Sequence, residues 1–241
     1  MIIDFIVLAC SHKHHERCVA GIDATNHKLI RLVSRDSSTN YAIPTSECKV
    51  DKRNLVPLDR INVELTAHMS KLGAQTENYV VSFPLVKKYI GKASIDNLKP
   101  YLYECKTSLF PFPFGSRDPF MRREKYYYEE ESLCLIPAYK LYFSTIKKNE
   151  KYKTKVSFNV YKKYGNEQTT LSEYAVTDPM YMFYDGISNN AGKKALGKAY
   201  ILISLGQDDD SDYYYKYVSG IIDFSGQTAK LQPQKSIEDL F

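Results

Sequence analysis

The sequence predicts a mainly β protein built as two small barrels in tandem, joined and trimmed by short helical connections. Three observations predict it. Short runs rich in Val, Ile, Tyr and Phe, many alternating at period two, recur along the chain between polar turns. Five extended segments fall within about the first 85 residues, and five more follow residue 131. Between the sets, Leu109 to Phe120 packs three Pro and four Phe into twelve residues. Such a stretch suits neither a helix interior nor a central strand.

The first set opens with a meander over Met1 to Ser34. The apolar run Ile2 to Ala9 is too β-branched to favour a helix and too short to cross a bilayer. A polar connector follows, then a second strand, a turn at Asp23 to His27, and a third strand ending near Ser34. Arg35 to Val56 is polar and turn-rich. Leu58 to Thr66 alternates Ile61, Val63 and Leu65 with Arg60, Asn62 and Glu64, a half-buried strand. Asn78 to Phe83 is a short strand, and Val86 to Tyr103 mixes helical turns with Pro100.

In the second set the strands are Ser132 to Ser144, Tyr152 to Tyr164, Thr169 to Val176, Ala199 to Leu205 and Tyr213 to Phe224. Pro179 to Lys198 is the place for a short helix, with Asp178 as its N-cap. Five strands with a helix between the third and fourth is the order of an OB-like barrel, the oligonucleotide/oligosaccharide-binding architecture. The organisation expected is a first OB-like barrel with a trailing helical or loop segment over 1–107 and a linker over 108–131. A second OB-like barrel takes 132–226, and a tail takes 227–241. Alternate rings of Tyr213 to Tyr215 are expected to enter the second core.

Composition narrows the class. A net charge of +5 is a mild basic bias, so the placement of charge matters more than its sum. Five scattered Cys without a CxxC pair indicate neither a disulfide framework nor a zinc ribbon. No basic leader or cleavage site precedes the first strand, and no apolar segment reaches membrane length, so a cytoplasmic location without membrane contact is expected. The P-loop, GxGxxG, GxSxG and HExxH patterns are all missing from the sequence.

Several ordered phrases carry a family resemblance. They are LACSHKHHERCVAG, LIRLVS and QTENYVV in the first half, then SLCLI, YAVTDP, ISLG and YYKYVSGII in the second. Together, from Ile3 to about Ile222, the chain resembles the dual OB-fold domain family of prokaryotic proteins. The resemblance implies two OB-like barrels, a cytosolic setting and a nucleic-acid-related role within prokaryotic conflict systems. It implies no catalytic mechanism.

Two surfaces carry the chemistry for nucleic acid. In the opening connector, Lys13 and Arg17 supply charge, Ser11 donates, and His14 and His15 stack or donate, with Arg31 on a neighbouring strand. In the second barrel, Lys151, Lys153, Lys155, Asn159, Tyr161 and Lys163 fall on one face of a strand. Val156, Phe158 and Val160 fall on the other. Cys10, His12, His14, His15 and Cys18 have the atoms for zinc but not its common spacings, so a plain polar connector is favoured and no metal or cofactor is expected. The alternatives are a metal-assisted nuclease or hydrolase using His14 and His15, and an interaction scaffold. For the latter, Gln234, Ile237, Leu240 and Phe241 in the tail have a spacing similar to peptides that dock on sliding clamps.

Overall fold

The computed structural model describes residues 1–13, 15–69, 75–102, 118–122, 132–148, 151–161, 168–181, 195–207 and 212–224. The first barrel holds β1 (Ile2–Lys13), β2 (Glu16–Asp23), β3 (Lys28–Val33), β6 (Asp59–His68) and β7 (Asn78–Val81). They pair in the order β1-β2-β3-β7-β6 and close through β1–β6; only β3–β7 is parallel. A small hairpin of β4 (Lys49–Val50) and β5 (Arg53–Asn54) lies beside it, and β8 (Lys88–Lys92) adds to β6. The turn at Asp23 to His27 is held by Asp23 Oδ1, which accepts from the backbone N–H groups of Thr25 and Asn26.

The second barrel repeats the plan. Its strands are β10 (Leu133–Lys148), β11 (Lys151–Tyr161), β12 (Gln168–Val176), β13 (Ala195–Gln207) and β14 (Tyr213–Asp223). They run β10-β11-β12-β14-β13 and back to β10, with β12–β14 the parallel pair. Numbered within each barrel, both follow 1-2-3-5-4, the OB order. The fold expected from sequence is therefore present twice. β9 (Phe120–Arg122) pairs with the start of β14 and covers it.

Each barrel has its own core. Phe5, Val7, Ile30, Leu32, Ile61 and Val63 fill the first; Val156, Phe158, Leu171, Tyr174, Ile201 and Val218 fill the second. A third apolar cluster lies between them, with Ile6, Leu8, Ala9, Ala20 and Ile22 meeting Leu133, Leu135, Tyr200, Leu202 and Ile222. This explains the apolar run from Phe5 to Cys10 in β1. Strand side chains alternate between faces, and here both faces are covered. A bulge between Val7 and Ala9 adjusts that alternation.

The contact extends to the backbone. Gly220 in β14 lies so near β1 that an added Cβ would stand 2.1 Å from the Leu8 carbonyl oxygen. His12 N–H donates to the Thr177 carbonyl at 2.9 Å. Next in sequence, the buried Asp178 accepts from Met180 N–H at 2.9 Å and Ile221 N–H at 2.8 Å, fixing the exit of β12 against β14. Burial pushes its carboxyl up to about 6.

Some expectations change. Tyr213, Tyr214 and Tyr215 are only half-buried, because β9 covers that end and the inward position belongs to Lys216. Desolvation pulls the Lys216 amine down to about 8. β4, β5, β8 and β9 were not expected from the sequence pattern; β8 carries Gly91, and β9 follows a proline-rich run. Of the 108–131 linker, only Asp118 to Arg122 falls within the described residues. Most of the segment expected to be helical after Pro179 falls outside them; Pro179 to Tyr181 form a turn. Among the described residues, no helix is long and apolar enough to cross a membrane.

Candidate nucleic-acid interface

The opening connector is braced from one side. Arg17 and Ile43 exchange backbone hydrogen bonds at 2.9 and 2.8 Å, and Glu16 accepts from Thr45 N–H at 2.5 Å. Lys13 Nζ donates to the Asn40 carbonyl at 2.8 Å. The connector therefore clamps the loop around residues 36–48 over one end of the first barrel. His15 sits exposed at the turn with φ 69°, its ring edge-on to His12 at 6.2 Å between centroids. His14 lies outside the described residues.

Two members of the expected contact set are internal. Ser11 is buried and donates to the Cys18 carbonyl at 3.3 Å. Arg31 is buried between the barrels, where Nη1 meets Glu77 Oε1 at 3.0 Å and Asn78 Oδ1 at 3.1 Å, and Nη2 donates to Ser132 Oγ at 3.1 Å. Ser132 in turn donates to Glu77. Both residues are thus corrected from contact residues to structural ones. Their polar atoms are used inside the fold, and solvent does not reach them.

Of the cysteines at the connector, Cys10 is buried and Cys18 half-buried, and Cys10 packs beside the buried Cys48. Cys10 and Cys48 share a hydrogen bond that lowers the Cys10 thiol below its ordinary value, while the same bond and burial raise that of Cys48. Among the described residues no group of three or more His, Cys, Asp or Glu is placed to hold a metal ion. Arg17 Nη1 is buried without a hydrogen-bond partner among the described residues.

The second barrel presents a different surface. On β11, Thr154, Val156, Phe158 and Val160 are buried, while Lys153, Lys155, Ser157 and Asn159 turn outward. Lys151 and Tyr161 belong to the same strand by backbone, although their side chains lie outside the described set, as does Lys163 entirely. On the adjacent β12, Thr170, Ser172 and Glu173 are exposed. Thr170 Oγ1 donates to Asn159 Oδ1 at 2.9 Å, and Lys155 forms an ion pair with Glu173. That pair is half-exposed, so it contributes at most about 1 kcal/mol.

Glu173 is the residue that the strand pattern alone passed over. The register between β11 and β12 shifts between Val156 and Phe158, leaving Ser172 and Glu173 both outward. Glu173 takes φ 65°, and its N–H is received by Ser157 Oγ at 3.2 Å. The left-handed region costs a side-chain-bearing residue roughly 1 kcal/mol or more. The signal was present in the sequence: Leu171 and Tyr174, both inward, are three apart instead of two.

The two barrels offer unequal faces to a ligand. In an OB barrel the outer face of the second and third strands and the loop between the first two strands are the ligand-bearing region. In the first barrel that face is covered, since Ala20 and Ile22 of β2 and Arg31 of β3 are buried against the second barrel. In the second barrel, the matching face of β11 and β12 keeps exposed polar side chains.

A family model described as a dual OB-containing domain matches residues 3–221. No curated protein and no solved structure gives a significant match. The tail residues Gln234, Ile237, Leu240 and Phe241, whose spacing suggested docking on a sliding clamp, lie outside the described residues.

Proposed function

The chain belongs to the dual OB-containing domain family, and from that premise we propose a non-catalytic nucleic-acid-binding module whose contact surface is the β11–β12 face of the second barrel. Lys153 and Lys155, with Lys151 and Lys163 farther along, meet backbone phosphates. Asn159 and Tyr161 meet bases, and Lys13, His14, His15 and Arg17 of the opening connector flank the site. The setting we propose is prokaryotic conflict or DNA metabolism in the cytoplasm.

One observation carries this reading: lysines and hydrogen-bonding side chains alternate outward along β11 over an apolar inner face. The strand lies where OB barrels receive single strands, with charge for the backbone and polar groups for the bases. The test is a titration of a labelled oligonucleotide over a salt series, for the whole chain and for the Lys151→Ala/Lys153→Ala/Lys155→Ala variant. Each phosphate that the variant no longer neutralises flattens the log–log salt slope by about 0.7 for single strands. Identical slopes would remove the assignment.

A further inference from the structure

We propose that Glu173 reads guanine on a strand lying across the β11–β12 face; this rests on the nucleic-acid reading above and names the base that the surface selects. A carboxylate is a poor neighbour for phosphates. On a face meant only to attract a polyanion, it costs affinity for every sequence. Here the carboxylate is turned outward by a bulge, with the backbone held in the left-handed region and its N–H fixed by Ser157 Oγ. Bulges of this kind re-aim side chains beside ligand sites.

The chemistry of the neighbours agrees. Lys155 is paired with Glu173, which orients the carboxylate while it waits, and Lys153 stands exposed two residues along the same outward row. Adjacent strands are about 5 Å apart. Ammonium groups on β11 therefore receive the phosphates while the carboxylate on β12 meets the base. Guanine alone among the common bases offers two adjacent in-plane donors on its pairing edge, N1–H and the exocyclic N2–H. Both oxygens of one carboxylate accept from them together. Cytosine and adenine offer one donor group there and a bare acceptor beside it, which the carboxylate repels. Unpaired bases are read on this edge in single strands.

Three octamers test the assignment, alternating thymine with guanine, with adenine or with cytosine. Each is titrated by fluorescence anisotropy against the whole chain, wild type, Glu173→Gln and Glu173→Gly. The wild type is expected to bind the guanine octamer about tenfold or more tightly than the other two, the discrimination of one good bidentate pair. Glu173→Gln should abolish that preference, since its amide nitrogen sets a donor against a donor, while the adenine and cytosine octamers bind as well or better. Glu173→Gly relieves the backbone, so an unchanged or higher melting temperature shows that a vanished preference is not a failure to fold. Equal wild-type affinities, a preference that survives Glu173→Gln, or a gain shared equally by all three octamers each overturn the role of Glu173 while leaving the binding face intact. Binding to none of the octamers overturns the nucleic-acid reading itself.

Discussion

Arg31 Nη1 stands 3.0 Å from Glu77 Oε1, and both side chains are buried. Their shared partner Ser132 comes from the second barrel, so one ion pair joins two barrels. Removing one member strands the other charge in the interior, at a cost of roughly 3–5 kcal/mol. Arg31→Met should therefore lower the urea midpoint sharply, and Arg31→Met/Glu77→Leu should recover a large part of the loss. Neither change should alter the salt slope of oligonucleotide binding. A shallower slope for Arg31→Met in folded protein would return Arg31 to the contact surface.

Gly220 gives a steric prediction. A Cβ there meets the Leu8 carbonyl oxygen at 2.1 Å, and a backbone atom has no rotamer by which to withdraw. Gly220→Ala should destabilise by about 1–3 kcal/mol through forced separation of β1 and β14. Gly206→Ala is the control, since its Cβ would meet the Tyr217 ring, a side chain that can turn aside. Equal losses in denaturant titrations would contradict this account.

Asp178 and Lys216 give opposite pH dependences. Burial raises Asp178 from 3.8 to about 6, so the folded state holds its proton more tightly than the unfolded chain. Its contribution is full below pH 3.8 and is lost as pH rises through 6, a change of about 3 kcal/mol at 1.36 kcal/mol per unit. The stability difference between wild type and Asp178→Asn should shrink accordingly between pH 4 and 7.5. A difference that is flat over that interval would show that Asp178 titrates alike in both states.

Lys216 runs the other way. Desolvation lowers its amine from 10.5 to about 8, so the unfolded chain binds the proton more tightly. Stability from this group is present above pH 10.5 and is lost as pH falls through 8. Lys216→Met should be at least as stable as wild type at pH 7, and the gap should close toward pH 10. Loss of stability in Lys216→Met at pH 7 would mean that the amine makes interactions outweighing its desolvation.

The fold was legible because strand alternation is a local property. Ile61, Val63 and Leu65 are buried while Arg60, Asn62 and Glu64 are not, as the pattern of that stretch required. The same rule separated Val156 and Phe158 from Lys153 and Lys155. It failed for Arg31, because in a single barrel an outward Arg on β3 would be wet, and only the second barrel makes that face dry. A hint lay in Ile6, Leu8, Ala20 and Ile22, apolar residues on the outer wall of the first barrel. Two covered faces leave that mark on a sequence. Glu173 escaped for a smaller reason: one inserted residue inverts the facing of everything beyond it.

The covered face of the first barrel has a consequence for competition. Its second and third strands are occupied by the wall of the neighbouring barrel, much as a receptor is occupied by a ligand tethered to it. Covalent linkage holds such an occupant at an effective concentration of order millimolar or above. On the proposed reading, a free polymer arriving at micromolar concentration competes with that occupant at a large disadvantage. On that reading the strand face of the first barrel is already taken, and the pair offers one such face to a ligand where a count of barrels would suggest two.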